Sequence, residues 1–289
     1  MQIIESIAAM QQLSRDLRSS TDRTLGLVPT MGALHEGHLS LVRRARAECD
    51  AVVATLFVNP LQFAPGEDLA RYPRTFDRDC ALLQAEGVTA LFAPSVEEMY
   101  PAGAVTTITV AEVGDRLDGA SRPGHFTGVA TVVAKLFHIA APHRAYFGQK
   151  DAAQLAVLRR MVRDLNFDLE LVACPIVRDP DGLALSSRNK YLTPAERPQA
   201  LVLHRALLEV ERSIAAGERN SEALMHTGRA MVETEPTVRL DYLAAVNPDT
   251  LAPVARVAPG TLIAIAAYIG AAPTRLIDNL LVELPAGGL

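Results

Sequence analysis

No apolar run in this sequence is long enough to cross a bilayer, which takes roughly 20 residues. The best candidate, residues 128–142, is interrupted by Lys135 and His138. The first residues have no basic n-region, and Glu5 sits inside their apolar part, so no secretory leader is read and a cytoplasmic location is expected. Cysteine is scarce. Cys49, Cys80 and Cys174 are odd in number, far apart and in no CxxC pair, which argues against a disulfide framework or a thiolate metal site and for three buried thiols. Neither GxGxxG nor GxxxxGK(S/T) occurs, which disfavours a dinucleotide dehydrogenase or a P-loop kinase. The net charge is −5, so no general affinity for nucleic acid is implied. Internal repeats and low-complexity linkers are also missing.

Of the 289 residues, 49% are hydrophobic, enough for one large domain or two moderate ones with real cores. Up to about residue 175 the chain alternates strand-like and helical stretches. LGLVPT at 25–30, AVVATLFVN at 51–59, VTALFAP at 88–94, RAYFG at 144–148 and LELVACP at 169–175 read as strands. Segments 38–49, 75–87, 126–140 and 151–166 read as helices. This rhythm predicts βαβ units, and so a Rossmann-like, doubly wound parallel sheet that binds ligands at the carboxyl ends of its strands. Beyond Pro175 the texture changes. Helices are expected at about 195–216 and 219–234, followed by three antiparallel strands, DYLAAVN, GTLIAIAAYIG and TRLIDNLLVEL. These form a second, smaller α+β domain, placing the domains at 1–176 and 177–289, with the second closing over the active site.

Several short segments carry chemistry. His35-Glu36-Gly37-His38 follows a strand and opens a helix, so two imidazoles lie beside backbone N–H groups and a helix dipole that attract anions. Its spacing is one residue short of the HExxH zinc motif. Alone, the tetrapeptide reads more readily as two surface histidines on a turn. Gly148-Gln149-Lys150-Asp151 places a cation at a helix start, where the dipole disfavours it, and Asp151 suits the N-cap. Either an anionic ligand lies nearby or Lys150 is solvated. Leu185-Ser186-Ser187-Arg188-Asn189-Lys190 concentrates donors that can close over phosphates, with Arg178 adding charge; a flexible polar linker is the competing reading. Asn59 and Gln62 leave a strand as neutral amides suited to a hydroxyl or carboxylate.

Together these segments resemble the pantothenate synthetase family. They stand as PTMGALHEGH at 29–38, FVNPLQF at 57–63, YPRT at 72–75, SRPGHFTGVATVV at 121–133, GQKDAAQ at 148–154 and DGLALSSRN at 181–189. The match runs from about residue 24 to 280. The HEGH and SSRN elements are also similar to signatures of class I aminoacyl-tRNA synthetases, which share adenylate chemistry.

The resemblance implies an ATP-dependent ligase of coenzyme A biosynthesis. Pantoate and ATP give pantoyl adenylate and pyrophosphate, and the amine of β-alanine then displaces AMP. It implies Mg²⁺ with the ATP and a homodimer, with neither nucleic acid nor membrane as partner. His38, His35, Lys150 and Arg188 are carried over as the catalytic set, His38 as proton donor. Met31, Gly32, Ala33, Leu34, His35, Glu36, Gly37, His38, Gly148, Gln149, Lys150, Asp151, Val177, Leu185, Ser186, Ser187 and Arg188 are expected around ATP. Gln62 and Gln154 are expected on pantoate, with Gln62 also reaching β-alanine; Asn59, Arg122 and His125 complete the substrate set. Leu185 stands where the family usually has Met, a volume-conserving change. Ala152 and Ala153 replace a common Tyr–Gln pair. An acidic pair after YPRT is associated with Mg²⁺ in some members; here Arg78 interrupts Asp77 and Asp79, so no protein metal ligand is assigned. Competing readings are another adenylate-forming or nucleotidyl-transferring enzyme, a zinc hydrolase on His35 and His38, and a non-catalytic nucleotide-binding module.

Overall fold

Continuous apolar runs make strands that are buried on both faces, as a parallel sheet between helical layers requires. In the computed structural model, which describes residues 1–19, 23–64 and 66–283, the expected runs become strands, mostly buried except for the half-buried run at 170–174 on the sheet's edge. The strands are β1 (Gln2–Ile4), β2 (Leu25–Thr30), β3 (Ala51–Leu56), β4 (Ala90–Phe92), β5 (Arg144–Gly148) and β6 (Glu170–Cys174). The sheet order is β1-β4-β3-β2-β5-β6, and every pairing is parallel. The helices among them are α1 (Ile7–Leu17), α2 (Glu36–Glu48), α3 (Phe76–Ala85), the short α4 (Val96–Met99) and α5 (Asp118–Ser121), α6 (His125–Ala140) and α7 (Ala152–Asp164).

β2 and β3 pair in register from Leu25↔Ala51 to Thr30↔Leu56. Their alternate residues Val28, Val52 and Ala54 pack with Leu41, Val42 and Ala45 of α2. α6 is buried along most of its length and contacts β2 and α1. The chain adds strands outward from β2 to β3 and β4, then reverses and adds β5 and β6 on β2's other side. Such a reversal opens a crevice at the strands' carboxyl ends. The strands that flank it, β2 and β5, lead into the His35–His38 segment and into Gly148.

The remaining helices are α8 (Glu196–Ala200), α9 (Val202–Ala215) and α10 (Ser221–Val232). The helix expected over 195–216 is thus broken at Leu201 into α8 and α9. The antiparallel sheet β7-β8-β9 comprises β7 (Val238–Val246), β8 (Leu262–Ile269) and β9 (Thr274–Leu281). Leu203, Leu207 and Val210 of α9 and Leu224 of α10 pack on Leu243, Ile263, Ile265 and Leu276 of this sheet. Burying each such side chain stabilises by about 1.5–3 kcal/mol before entropy is counted.

By contacts the chain divides into two units. The first comprises Met1–Gly148 and Val157–Pro175; the second comprises Gln149–Ala156 and the chain from Ile176 onward. Where the sequence suggests one boundary near 176, the short segment 149–156 groups with the second unit. Cys49 and Cys174 are buried and Cys80 half-buried, all three as free thiols. Among the described residues, no helix is long and apolar enough to cross a membrane.

Candidate active site

In the first unit the turn after β2 is built from left-handed backbone. Gly32 has φ of 84° and Ala33 a φ of 52°. That region costs a residue with a Cβ about 1 kcal/mol or more, so Ala33 needs outside support. Asp79 of α3, fully buried, supplies it. Its Oδ2 accepts from the Ala33 N–H at 2.8 Å and its Oδ1 from the Leu34 N–H at 2.9 Å. The Thr75 hydroxyl donates to Oδ2 at 3.0 Å, and Arg78 Nη1 donates to the Leu34 carbonyl at 3.1 Å. Ala33 and Leu34 are 0% and 1% exposed and Gly32 is buried too, so this part of the segment expected around ATP turns inward.

His35 caps α2 in an extended conformation. Its N–H donates to Nδ1 of His38 at 3.3 Å, and the two rings lie 4.1 Å apart, tilted by 37°. A neutral His38 whose Nδ1 accepts a hydrogen bond carries its proton on Nε2. Both imidazoles are half-buried, Met31 and Gly37 likewise, and Glu36 is exposed and paired with Arg43.

Asn59 follows β3, is 1% exposed, and uses its whole amide. Its Nδ2 donates to the Gly128 carbonyl and to Gln62 Oε1, both at 3.1 Å. Its Oδ1 accepts from Tyr100 Oη at 2.8 Å and from the Leu61 N–H at 3.3 Å. Gln62 Nε2 points to Met31 Sδ at 2.8 Å, so the amide segment and the histidine segment meet. Gly128 allows α6 to come this close, because a Cβ there would sit 2.2 Å from the Leu61 carbonyl oxygen.

Arg122 and His125 hold the same segment from below. The Gln62 carbonyl accepts from Arg122 Nη2 at 3.2 Å and from His125 Nδ1 at 2.8 Å. Arg122 Nη1 donates to His125 Nε2 at 2.9 Å, and Arg122 also grips Glu67 through Nε and Nη2 at 2.7 Å each. Burial, then the charge of Arg122, push His125 down to about 4, so its ring stays neutral with the proton on Nδ1. Burial pushes Glu67 upward, but the hydrogen bonds and charge of Arg122 outweigh it and hold that carboxyl below its usual range.

In the second unit, Gln149–Asp151 form a 3₁₀ turn before α7. The carbonyls of Gln149 and Lys150 accept from Nδ2 of the buried Asn279 on β9, at 3.0 and 2.9 Å. Gln149 Nε2 returns a bond to Asn279 Oδ1 at 3.2 Å. The Lys150 ammonium lies 3.9 Å from Asp151, a loose pairing. Gln154 is half-buried on α7.

The serine–arginine segment is folded into hydrogen-bonded turns. Residues 177–185 close into a hairpin, with the Leu185 N–H donating to the Val177 carbonyl at 2.9 Å and the Asp179 N–H to that of Leu183 at 2.9 Å. Ser186 then caps a 3₁₀ helix, Ser187–Tyr191, by accepting from the Arg188 N–H at 3.2 Å. Arg178, expected to add positive charge, is neutralised by a two-pronged bond to Asp278 at 2.6 and 2.9 Å.

The model of the pantoate-beta-alanine ligase family matches residues 2–281. The chain belongs to that family. A pantothenate synthetase of Acidobacterium capsulatum is 61% identical over 98% of this chain and 97% of its own length. One from Koribacter versatilis is 56% identical over 98% and 96%. The crystal structure of pantothenate synthetase from Thermus thermophilus superposes with a TM-score of 0.92 at 49% identity, covering 98% of this chain and all of that one. A pantoate–β-alanine ligase from Francisella tularensis, solved in complex with beta-gamma ATP and β-alanine, gives 0.80 at 35% identity, covering 97% of each. Fold and family therefore agree with the expectation from the sequence.

Proposed function

We propose that this chain joins (R)-pantoate to β-alanine, using ATP, through an enzyme-bound pantoyl adenylate. A pantoate carboxylate oxygen attacks the α-phosphorus, and the bond to the bridging oxygen breaks, releasing pyrophosphate. The neutral amine of β-alanine then attacks the acyl carbon; AMP leaves with the bonding pair, and the nitrogen loses a proton. No protein nucleophile enters. The work of the side chains is to place donors where negative charge grows.

The observation that carries this reading is the paired imidazoles at the start of α2, where β2 meets the reversal in strand order. His38 Nε2–H is the proton-bearing donor assigned to the departing phosphate oxygen. His35, Lys150, Ser186, Ser187 and Arg188 are assigned to the phosphates, and Gln62 and Gln154 to pantoate. Asn59, Arg122 and His125 belong to the substrate set by holding the Gln62 segment. Domains 1–176 and 177–289 are assigned to catalysis and to closure.

Mg²⁺ is assigned to ATP phosphates and water. The enzyme is proposed to work in the cytoplasm as a homodimer, which sedimentation at several concentrations tests. Incubation with ATP, Mg²⁺, pantoate and β-alanine tests the reaction. Pyrophosphate should require pantoate, and pantothenate should require β-alanine as well. Folded protein that yields neither product would remove the reading.

A further inference from the structure

Asp79 carries no assigned role, yet it is fully buried and touches the backbone of the histidine segment at two consecutive N–H groups. Consecutive N–H groups in such a turn form a concave nest for an anion. Here the protein supplies the anion itself. Those two donors are therefore committed and cannot serve a phosphate.

We propose that Asp79 is a positioning residue for the nucleotide chemistry: by holding the Ala33 and Leu34 peptides it sets the tautomer and aim of His38. The inference rests on the ligase reading only for which reaction it affects. The chain of contacts is short. Asp79 fixes the Leu34 peptide from its N–H side, and Arg78 fixes its carbonyl side. The next amide, that of His35, then points at His38 Nδ1. An accepting Nδ1 leaves Nε2 as the protonated nitrogen, the donor that a departing phosphate oxygen needs. A Cβ at residue 32 would lie 3.2 Å from both Asp79 Oδ2 and Leu56 Cδ2, so the turn is packed against its anchor.

The test is Asp79→Asn, which keeps the shape but turns an NH₂ toward one backbone N–H. Three quantities are read: thermal unfolding, pantoate-dependent pyrophosphate release, and the ¹⁵N shifts of histidine-labelled enzyme above the imidazole pKa. In the wild type His38 should show the Nε2–H tautomer. In the variant it should show a mixture, and kcat for pyrophosphate release should fall roughly 10–100-fold, as for a misaimed donor, with KM for β-alanine within about 2-fold. A folded variant with the wild-type tautomer signature would overturn the inference, as would loss of activity that only tracks loss of folded protein. If Asp79→Asn does not fold, Arg78→Met loosens the same peptide from an exposed position, and an unchanged tautomer and kcat there would overturn it equally. Wild-type enzyme with no pantoate-dependent pyrophosphate would count against the ligase reading and leave the nitrogen spectra to judge Asp79.

Discussion

The two units hold their chemical segments with opposite chemistry. In the first, a carboxylate on α3 accepts from two backbone N–H groups, those of Ala33 and Leu34. In the second, an amide on β9 donates to two backbone carbonyls, those of Gln149 and Lys150. The difference follows from which side of the peptide faces inward. A left-handed turn presents successive N–H groups and takes an acceptor; a 3₁₀ turn with inward carbonyls takes a donor. Buried backbone groups left without partners cost about 1–3 kcal/mol each, so each holder is chosen by the polarity of what it holds.

The largest effects should come from the groups being held. His38→Ala or Lys150→Ala should lower turnover by roughly 10² or more, as for loss of a transition-state donor. Steady-state kinetics with near-normal kcat in both variants would show that the held segments are not the catalytic ones. A next contrast is titration. Asn279 has no proton to gain, whereas the first unit also holds Gln62 through His125. The folded His125 sits at about 4 against an ordinary 6.5, so its contribution is complete above pH 6.5 and is lost as pH falls toward 4. The full span amounts to about 3 kcal/mol. His125→Asn keeps a donor for the Gln62 carbonyl but cannot be protonated there. Urea unfolding at pH 4.5 and 7 should show a smaller gap in that variant than in the wild type, and an equal gap would deny His125 the role.

Asn279→Asp replaces the donor with an acceptor facing two carbonyls. It should cost about 2–3 kcal/mol by denaturant unfolding, more than Asn279→Ala. Equal losses would mean that packing, not the polarity of the holder, matters at β9. The smallest effect belongs to Thr75→Val, which removes one of three donors from Asp79 and should cost about 1 kcal/mol or less. A loss as large as that of Asp79→Asn would shift the anchoring role from the backbone contacts to the hydroxyl.

Much of the fold could be read directly. The apolar runs at 25–30, 51–59 and 144–148 became β2, β3 and β5, and Gly87 and Pro175 marked real ends. The edge strand β1 could not, because only three residues pair and two of them are exposed, too few for any periodicity to show. Segment 149–156 reads along the chain as part of the first domain. Its grouping with the second unit is accompanied by an amide 129 residues from Lys150. Within the site, the motifs named the half-buried His35 and His38 directly. The same motifs named Ala33 and Leu34, whose donors point inward to a residue 45 positions or more away. The string Asp77-Arg78-Asp79 suggested only an interrupted acidic pair.

The sequence by itself determined most of the longer elements, the sheet class, the family and the residue types available for phosphate and amide contacts, because periodicity, turn residues and motif spacing are local properties. Only the tertiary structure decided which of those polar groups are already engaged within the protein. Arg178, Asn59, Asp79 and the Ala33 and Leu34 amides are all committed there. The reason is that a buried polar group must find a partner wherever the fold brings one, and that partner is usually far along the chain.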